Sequence, residues 1–197
     1  MKTLSDILFI ISNGLLIPVV LLLLCLLVRA LCIALRFYSV YRTQKRISAA
    51  FRKVIAGYSE EALCDSLAAL ADIGGGDPVV SCLTDIVTHR SDSAYCEHAL
   101  ADFQVEVSRQ LAPARMLIRF GPMLGLMGTL IPMGPALVGL ATGDISSMAY
   151  NMQVAFATTV VGMLVAAIGL ATLQVSRRFY ARSLNDLEFF YSKLNGK

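Results

Sequence analysis

Three long stretches of the chain contain no charged residue, and polar, charged sequence separates the first from the other two. The first stretch runs for 22 residues, from Ile7 to Val28. The second covers the 24 residues between Arg119 and Asp144, and the third covers the 32 residues between Asp144 and Arg177. Since ~20 apolar residues in a helix cross a bilayer, this pattern predicts three transmembrane helices.

The polar parts also show helical patterns, so the predicted fold class is all-α: a polytopic membrane protein with three transmembrane helices and cytoplasmic helical extensions. Apolar residues recur every three or four positions in two of these parts, at Leu100, Phe103, Val107 and Leu111 and again at Tyr180, Leu184, Leu187, Tyr191 and Leu194. Asp77 before Pro78 predicts a helix start, and Pro113 predicts a break before the second span.

Lysine and arginine determine the predicted orientation, because they accumulate on the cytoplasmic side of membrane proteins. Eleven lie from Arg29 to Arg119 and five follow the third span, whereas only Lys2 precedes the first span. The predicted segments are therefore an external N-terminus (1–6), transmembrane helix 1 (7–28), a cytoplasmic helical region (29–114), transmembrane helix 2 (115–141), an external loop (142–148), transmembrane helix 3 (149–175) and a cytoplasmic C-terminal helix (176–197).

Other residue patterns point to no cofactor, metal or nucleic acid. The five cysteines form no CxxC pair, and the spacing of Cys82, His89, Cys96 and His98 matches no zinc pattern. The basic residues after the first span are typical of a helix near anionic lipid headgroups. The spans contain no HExxH, no GxSxG and no paired carboxylates, which argues against an intramembrane enzyme.

Small residues repeat along one face of each of the last two spans, and such faces let another helix backbone approach closely. We expect tight helix packing there, most of all between subunits of a ring, with packing inside one protomer as the alternative. The residues expected at these contacts are Gly121, Gly125, Gly128 and Pro132 in the second span and Gly162 and Ala166 in the third.

Three threonines, Thr129, Thr158 and Thr159, lie at membrane depth in spans that contain no Asp, Glu, Lys, Arg or His. Each hydroxyl can bond to its own helix or line a narrow polar pathway. A proton path through hydrocarbon normally needs an ionisable group. If this protein conducts protons, another chain must therefore supply the carboxylate.

Two motifs resemble the MotA/TolQ/ExbB proton-channel family. The segment GPMLGLMGTLIPM at residues 121–133 is similar to its second-span signature, and AFATTVVGMLVA at residues 155–166 is similar to its third-span signature. Thr142-Gly143-Asp144 matches the loop often found between these spans. The order of spans and loops agrees over the whole chain, and the size of the cytoplasmic region favours the TolQ/ExbB-like branch.

The resemblance implies a ring-forming subunit, a homopentamer in the family's usual arrangement, of an ion-driven motor in a bacterial or archaeal cytoplasmic (inner) membrane. It implies a single-span MotB/TolR/ExbD-like partner that carries the proton-binding Asp, and no cofactor, with H⁺ as the expected ion and Na⁺ as the alternative. Thr129 and Thr159 match the family's pore threonines, and Thr158 is adjacent.

One position departs from the family's pattern. Many relatives carry a Glu five residues before the second pore threonine, where this chain has Val154, with Gln153 and Asn151 close by. The chain itself then offers no titratable group to the pathway. The alternative function is a non-conducting membrane scaffold or assembly protein, and the process that the motor drives is not readable from the sequence.

Overall fold

The computed structural model describes residues 2–56, 77–89 and 92–194, and these ranges form four helices and no strand. The all-α prediction is confirmed. Segments of three of the helices are long and apolar enough to cross a membrane, at Asn13–Phe37, Ser93–Thr142 and Ile145–Ser192. The four helices are α1 (Lys2–Ala56), α2 (Pro78–Thr88), α3 (Ser93–Thr142) and α4 (Ile145–Leu194).

The start of α2 follows the predicted local chemistry, and the start of α4 is built in the same way. Asp77 caps α2, since its side chain accepts a hydrogen bond of 3.0 Å from the Val79 N–H, and Pro78 occupies the first turn. Asp144 caps α4 in the same way, accepting from the Ser147 N–H at 3.0 Å. Gly143 ends α3 with φ of 78°, a left-handed conformation that favours glycine.

Only Gly143 and Asp144 separate α3 from α4, so most of the predicted external loop, 142–148, is helical. The prediction that Pro113 interrupts the chain before the second span was wrong, because α3 runs unbroken through Pro113. A proline inside a helix removes one backbone hydrogen bond. Here Leu111 and Ala114 on either side of it are buried, and their packing stabilises the helical course.

The described residues divide into two compact units. The first, here called the hairpin unit, contains the chain up to Ala34 together with 113–173. Its centre is a cluster of Ala30 of α1, Leu117 of α3 and Val165 of α4, all three almost inaccessible to solvent. Many apolar residues of this unit stay exposed, such as Leu126, Leu137 and Phe156, as expected of helices that face lipid or other membrane chains.

The second unit, here called the extension unit, contains 35–112 and the chain from Gln174 onwards. Phe103 and Tyr180 meet edge to face with ring centroids 6.4 Å apart, and the Tyr180 hydroxyl donates to Gln110 Oε1 at 2.7 Å. The apolar repeat predicted in the C-terminal helix is buried at Tyr180 and Leu187, and partly buried at Leu184 and Tyr191. The fully buried Phe190, next to Tyr191, was not part of the predicted repeat.

Parts of two predicted helical segments lie outside the described residues. These are residues 57–76 and 90–91 of the predicted cytoplasmic helical region and residues 195–197 of the predicted C-terminal helix.

Candidate ion pathway in the α3–α4 hairpin

Glycines bring α3 and α4 into backbone contact. A Cβ built on Gly162 would lie 2.6 Å from the Gly121 carbonyl oxygen and 2.9 Å from Gly125 Cα. A Cβ on Gly121 would lie 2.7 Å from the Gly162 oxygen and 3.4 Å from Ala166 Cβ. No side chain fits at either position unless the backbone moves, so these residues allow the two helices to approach as closely as they do.

Thr158 is part of the same helix contact. A Cβ on Gly128 would lie 2.6 Å from both Thr158 Cβ and Thr158 Oγ1, so the threonine side chain occupies the space that glycine leaves. The Thr158 side chain is buried, and its hydroxyl donates to the Ala155 carbonyl at 2.9 Å. Its observed role is therefore packing, and a part in ion transfer stays a prediction.

Thr129 and Thr159 flank this contact and remain partly exposed. The Thr129 hydroxyl donates to the Leu126 carbonyl at 2.7 Å, and the Thr159 hydroxyl donates to the Ala155 carbonyl at 3.2 Å. Because each hydroxyl proton is used inside its own helix, the oxygen lone pairs are the part of the group left for other molecules. Both threonines can accept a hydrogen bond from water or from a protonated group.

The hairpin carries no charge between its two ends. Asp144 is the single charged residue between Arg119 and Arg177 in the sequence, and it lies exposed at the turn, where it caps α4. Polar groups at membrane depth are therefore hydroxyls and amides, which cannot carry a proton as a stable charged state at physiological pH. The hairpin itself therefore has no carboxylate at membrane depth.

The remaining predicted contact residues also lie in the protomer's own helix packing. Pro132 is fully buried, and Ala166 lies against the position of a Gly121 Cβ. Helix packing is thus the role that the contacts give to these small residues, and a role in a ring interface stays a prediction. Sequence reasoning missed Ala30, whose small side chain in a leucine-rich helix allows α1 to pack on Leu117 and Val165.

The extension unit holds two buried thiols. Cys82 Sγ contacts the Ala99 carbonyl at 3.5 Å, and Cys96 Sγ contacts the His89 carbonyl at 3.5 Å. Burial, with Asp85 nearby, raises the pKa of the Cys82 thiol to about 12, so the thiol is protonated and unreactive at neutral pH. In the part of the chain that the structure describes, no three His, Cys, Asp or Glu residues are placed to hold a metal ion.

The fold and the α3–α4 hairpin together define a multi-pass membrane protein. Its last two apolar spans pack closely, and the threonine hydroxyls beside that contact are polar groups at membrane depth. The family profile of the MotA/TolQ/ExbB proton channel family matches residues 81–188, more than half of the 197 residues. The chain belongs to this family, which is a family of proton channels and not of enzymes. No curated protein sequence matches the chain.

Proposed function

We propose that this chain is the ring-forming subunit of an ion-driven membrane motor, and that it works with a single-span partner of the MotB/TolR/ExbD kind. The observation that carries the proposal is the hairpin itself. Two partly exposed threonines, Thr129 and Thr159, flank a glycine contact in spans that contain no carboxylate. H⁺ is the proposed ion, and Na⁺ is the alternative.

The chemistry of the two hydroxyls supports a pathway that passes a proton without trapping it. A threonine oxygen whose own proton is already donated to the helix acts as an acceptor. It stabilises a protonated partner carboxyl or a water molecule, and it has no charge that would hold the ion. The partner's Asp then loads and releases the proton, while the subunit supplies a polar, uncharged surface along which that Asp moves.

A ring follows from this division of roles, because a carboxylate in hydrocarbon must be surrounded by protein or water. The partner's single span offers little of either, so several copies of the present chain are needed to enclose it. The family's usual arrangement, a pentamer around two partner copies, is the stoichiometry we propose.

The positive charges support an orientation in a bacterial or archaeal cytoplasmic membrane. Sixteen of the seventeen Lys and Arg residues lie at or after Arg29 and outside the hairpin turn. We place these segments in the cytoplasm, and the N-terminus and the turn at Asp144 on the opposite side.

A cysteine in place of Ser146, an exposed residue at the turn, is expected to react with a membrane-impermeant maleimide added to intact cells. Ala181→Cys, exposed on α4, is the matched position expected to react only after the cells are opened. The wild-type chain gives the background. Native Cys82 cannot report the orientation, because it is buried and its pKa is raised to about 12. Labelling of Ala181→Cys in intact cells would reverse the proposed topology.

Native mass spectrometry of the complex purified from its own membranes tests the assembly. The expected mass is that of several copies of this chain, five in our proposal, with a second chain that has one span and an Asp within it. Peptide sequencing of that second chain identifies the Asp. A stable monomer, or a ring that never contains such a chain, would support the scaffold function instead.

A further inference from the structure

Gln153 is a polar residue on an otherwise apolar face of α4. Residues three and seven positions further along, Phe156 and Val160, lie on the same side of a helix and are both 66% exposed. Gln153 is exposed as well. Its amide carries two donors and an acceptor, and it makes no hydrogen bond to any of the residues that the structure describes.

The hairpin places this amide inside the hydrocarbon. Arg119 and the turn at Asp144 are 25 positions apart, which is about 37 Å at the helical rise of ~1.5 Å per residue. The hydrocarbon layer is ~30 Å thick, so the turn lies close to one membrane surface when Arg119 lies at the other. Gln153 is nine positions beyond Asp144, so it lies roughly 13 Å below the turn. An amide at that depth without a partner is costly, and a second membrane chain can supply the partner.

The position of Gln153 around the axis of α4 indicates which membrane chain supplies its hydrogen-bond partner. Gly162 faces α3 and Val165 faces the cluster with α1. At ~100° per residue, Gln153 lies about 180° from Gly162 and about 120° from both Val165 and Thr159. The face of Gln153 is therefore turned away from the protomer's own helices, and it differs from the face of the proposed pathway threonine. In a ring around the pathway, this flank meets the neighbouring copy.

The neighbouring copy also offers a suitable acceptor. Pro135 lies inside α3 and has no N–H, so the carbonyl of Ile131, four residues earlier, does not receive its usual helical hydrogen bond from that position. Ile131 is partly exposed. Ile131 is 13 positions from the turn and Gln153 is nine, so their depths in the membrane differ by about 6 Å. A glutamine side chain largely spans that distance.

We infer that Gln153 forms a hydrogen bond between neighbouring copies of this chain, with its face of α4 docked on the exposed face of α3 of the next copy. The inference rests on the proposed ring, and it names one flank of α4 as the subunit interface. The small-residue face then packs each hairpin internally, and the Gln153 face joins one hairpin to the next.

A photo-reactive benzophenone amino acid in place of Gln153 tests this contact in the assembled complex. Irradiation is expected to yield an adduct of two copies, with the cross-link mapped to α3 by peptide mass spectrometry. The same amino acid in place of Leu22, exposed on α1, is the control and should give lipid adducts. Adducts from position 153 only to lipid or to the single-span partner would overturn the inference.

Substitution tests the hydrogen bond itself. Gln153→Leu is expected to weaken association of the copies roughly threefold to tenfold per interface in detergent dilution. Gln174→Leu is the matched control: the same residue type, exposed on the same helix but close to Arg177, and it should leave the ring unchanged. Equal rings from both variants would refute the contact. A monomeric wild-type chain would instead refute the proposed function.

Discussion

Replacing Thr129 and Thr159 together with valine is expected to lower proton flux through the assembled complex roughly twentyfold or more, while leaving its helices and its copy number unchanged. Valine has nearly the shape of threonine and lacks the hydroxyl. Each hydroxyl accepts a hydrogen bond from the protonated partner carboxyl or a water molecule in our account, and leaving that buried donor without its acceptor costs about 1–3 kcal/mol. Each substitution should therefore lower the flux roughly fivefold or more.

The measurement is proton uptake into vesicles that contain the complex with its partner. Thr129→Ser and Thr159→Ser keep the hydroxyl and are expected to retain most of the flux. Thr158→Val is the neighbouring control, because Thr158 is buried against Gly128, and its loss should affect stability more than flux. Wild-type uptake by the double valine variant would remove both threonines from the pathway.

Gly162→Ala is expected to destabilise the hairpin unit, since the added Cβ would lie 2.6 Å from a backbone oxygen and 2.9 Å from a backbone Cα of α3. Neither neighbour is a flexible side chain that can turn away. Overpacking of this kind costs about 1–3 kcal/mol, which for a chain of this length lowers the thermal midpoint by roughly 2–12 °C. Gly162→Leu should prevent the hairpin from forming.

Gly14→Ala is the matched control for this prediction. It also lies inside a helix, and a Cβ there would have no atom within 4 Å. Both substitutions change helix propensity by the same amount, so the difference between their melting midpoints in detergent measures the helix contact alone. Midpoints that agree within error would show that α3 and α4 do not touch at Gly162.

The sequence was sufficient for the fold because its strongest signals are physical necessities. A long charge-free stretch has few alternatives to a membrane-spanning helix, and Gly143-Asp144 is both a helix end and a helix start. The course of α3 through Pro113 could not be predicted, since it depends on tertiary burial of Leu111 and Ala114. Proline rules describe the local cost, and packing between distant segments decides whether the helix tolerates that cost.

The site was only partly readable for a similar reason. Helical periodicity predicts that Gly121, Gly125 and Gly128 share a face, but it does not tell which helix covers that face. The structure shows the covering residues, Thr158 and Gly162 of the same chain. Composition does not distinguish Thr158 from Thr159, and the family resemblance favours Thr159 for the pathway. The approach of Gly128 shows that Thr158 is the buried hydroxyl and Thr159 the partly exposed one.

The most direct measurement of the central claim compares proton uptake by wild-type vesicles that contain this chain alone with uptake by vesicles that contain it with its single-span partner. The hairpin carries no carboxylate between Arg119 and Asp144 or between Asp144 and Arg177, so this account predicts uptake only when the partner is present, and none when the partner's membrane Asp is changed to Asn. Uptake at the full rate by this chain alone would contradict the account, because the proton would then cross without the carboxylate that it assigns to the partner.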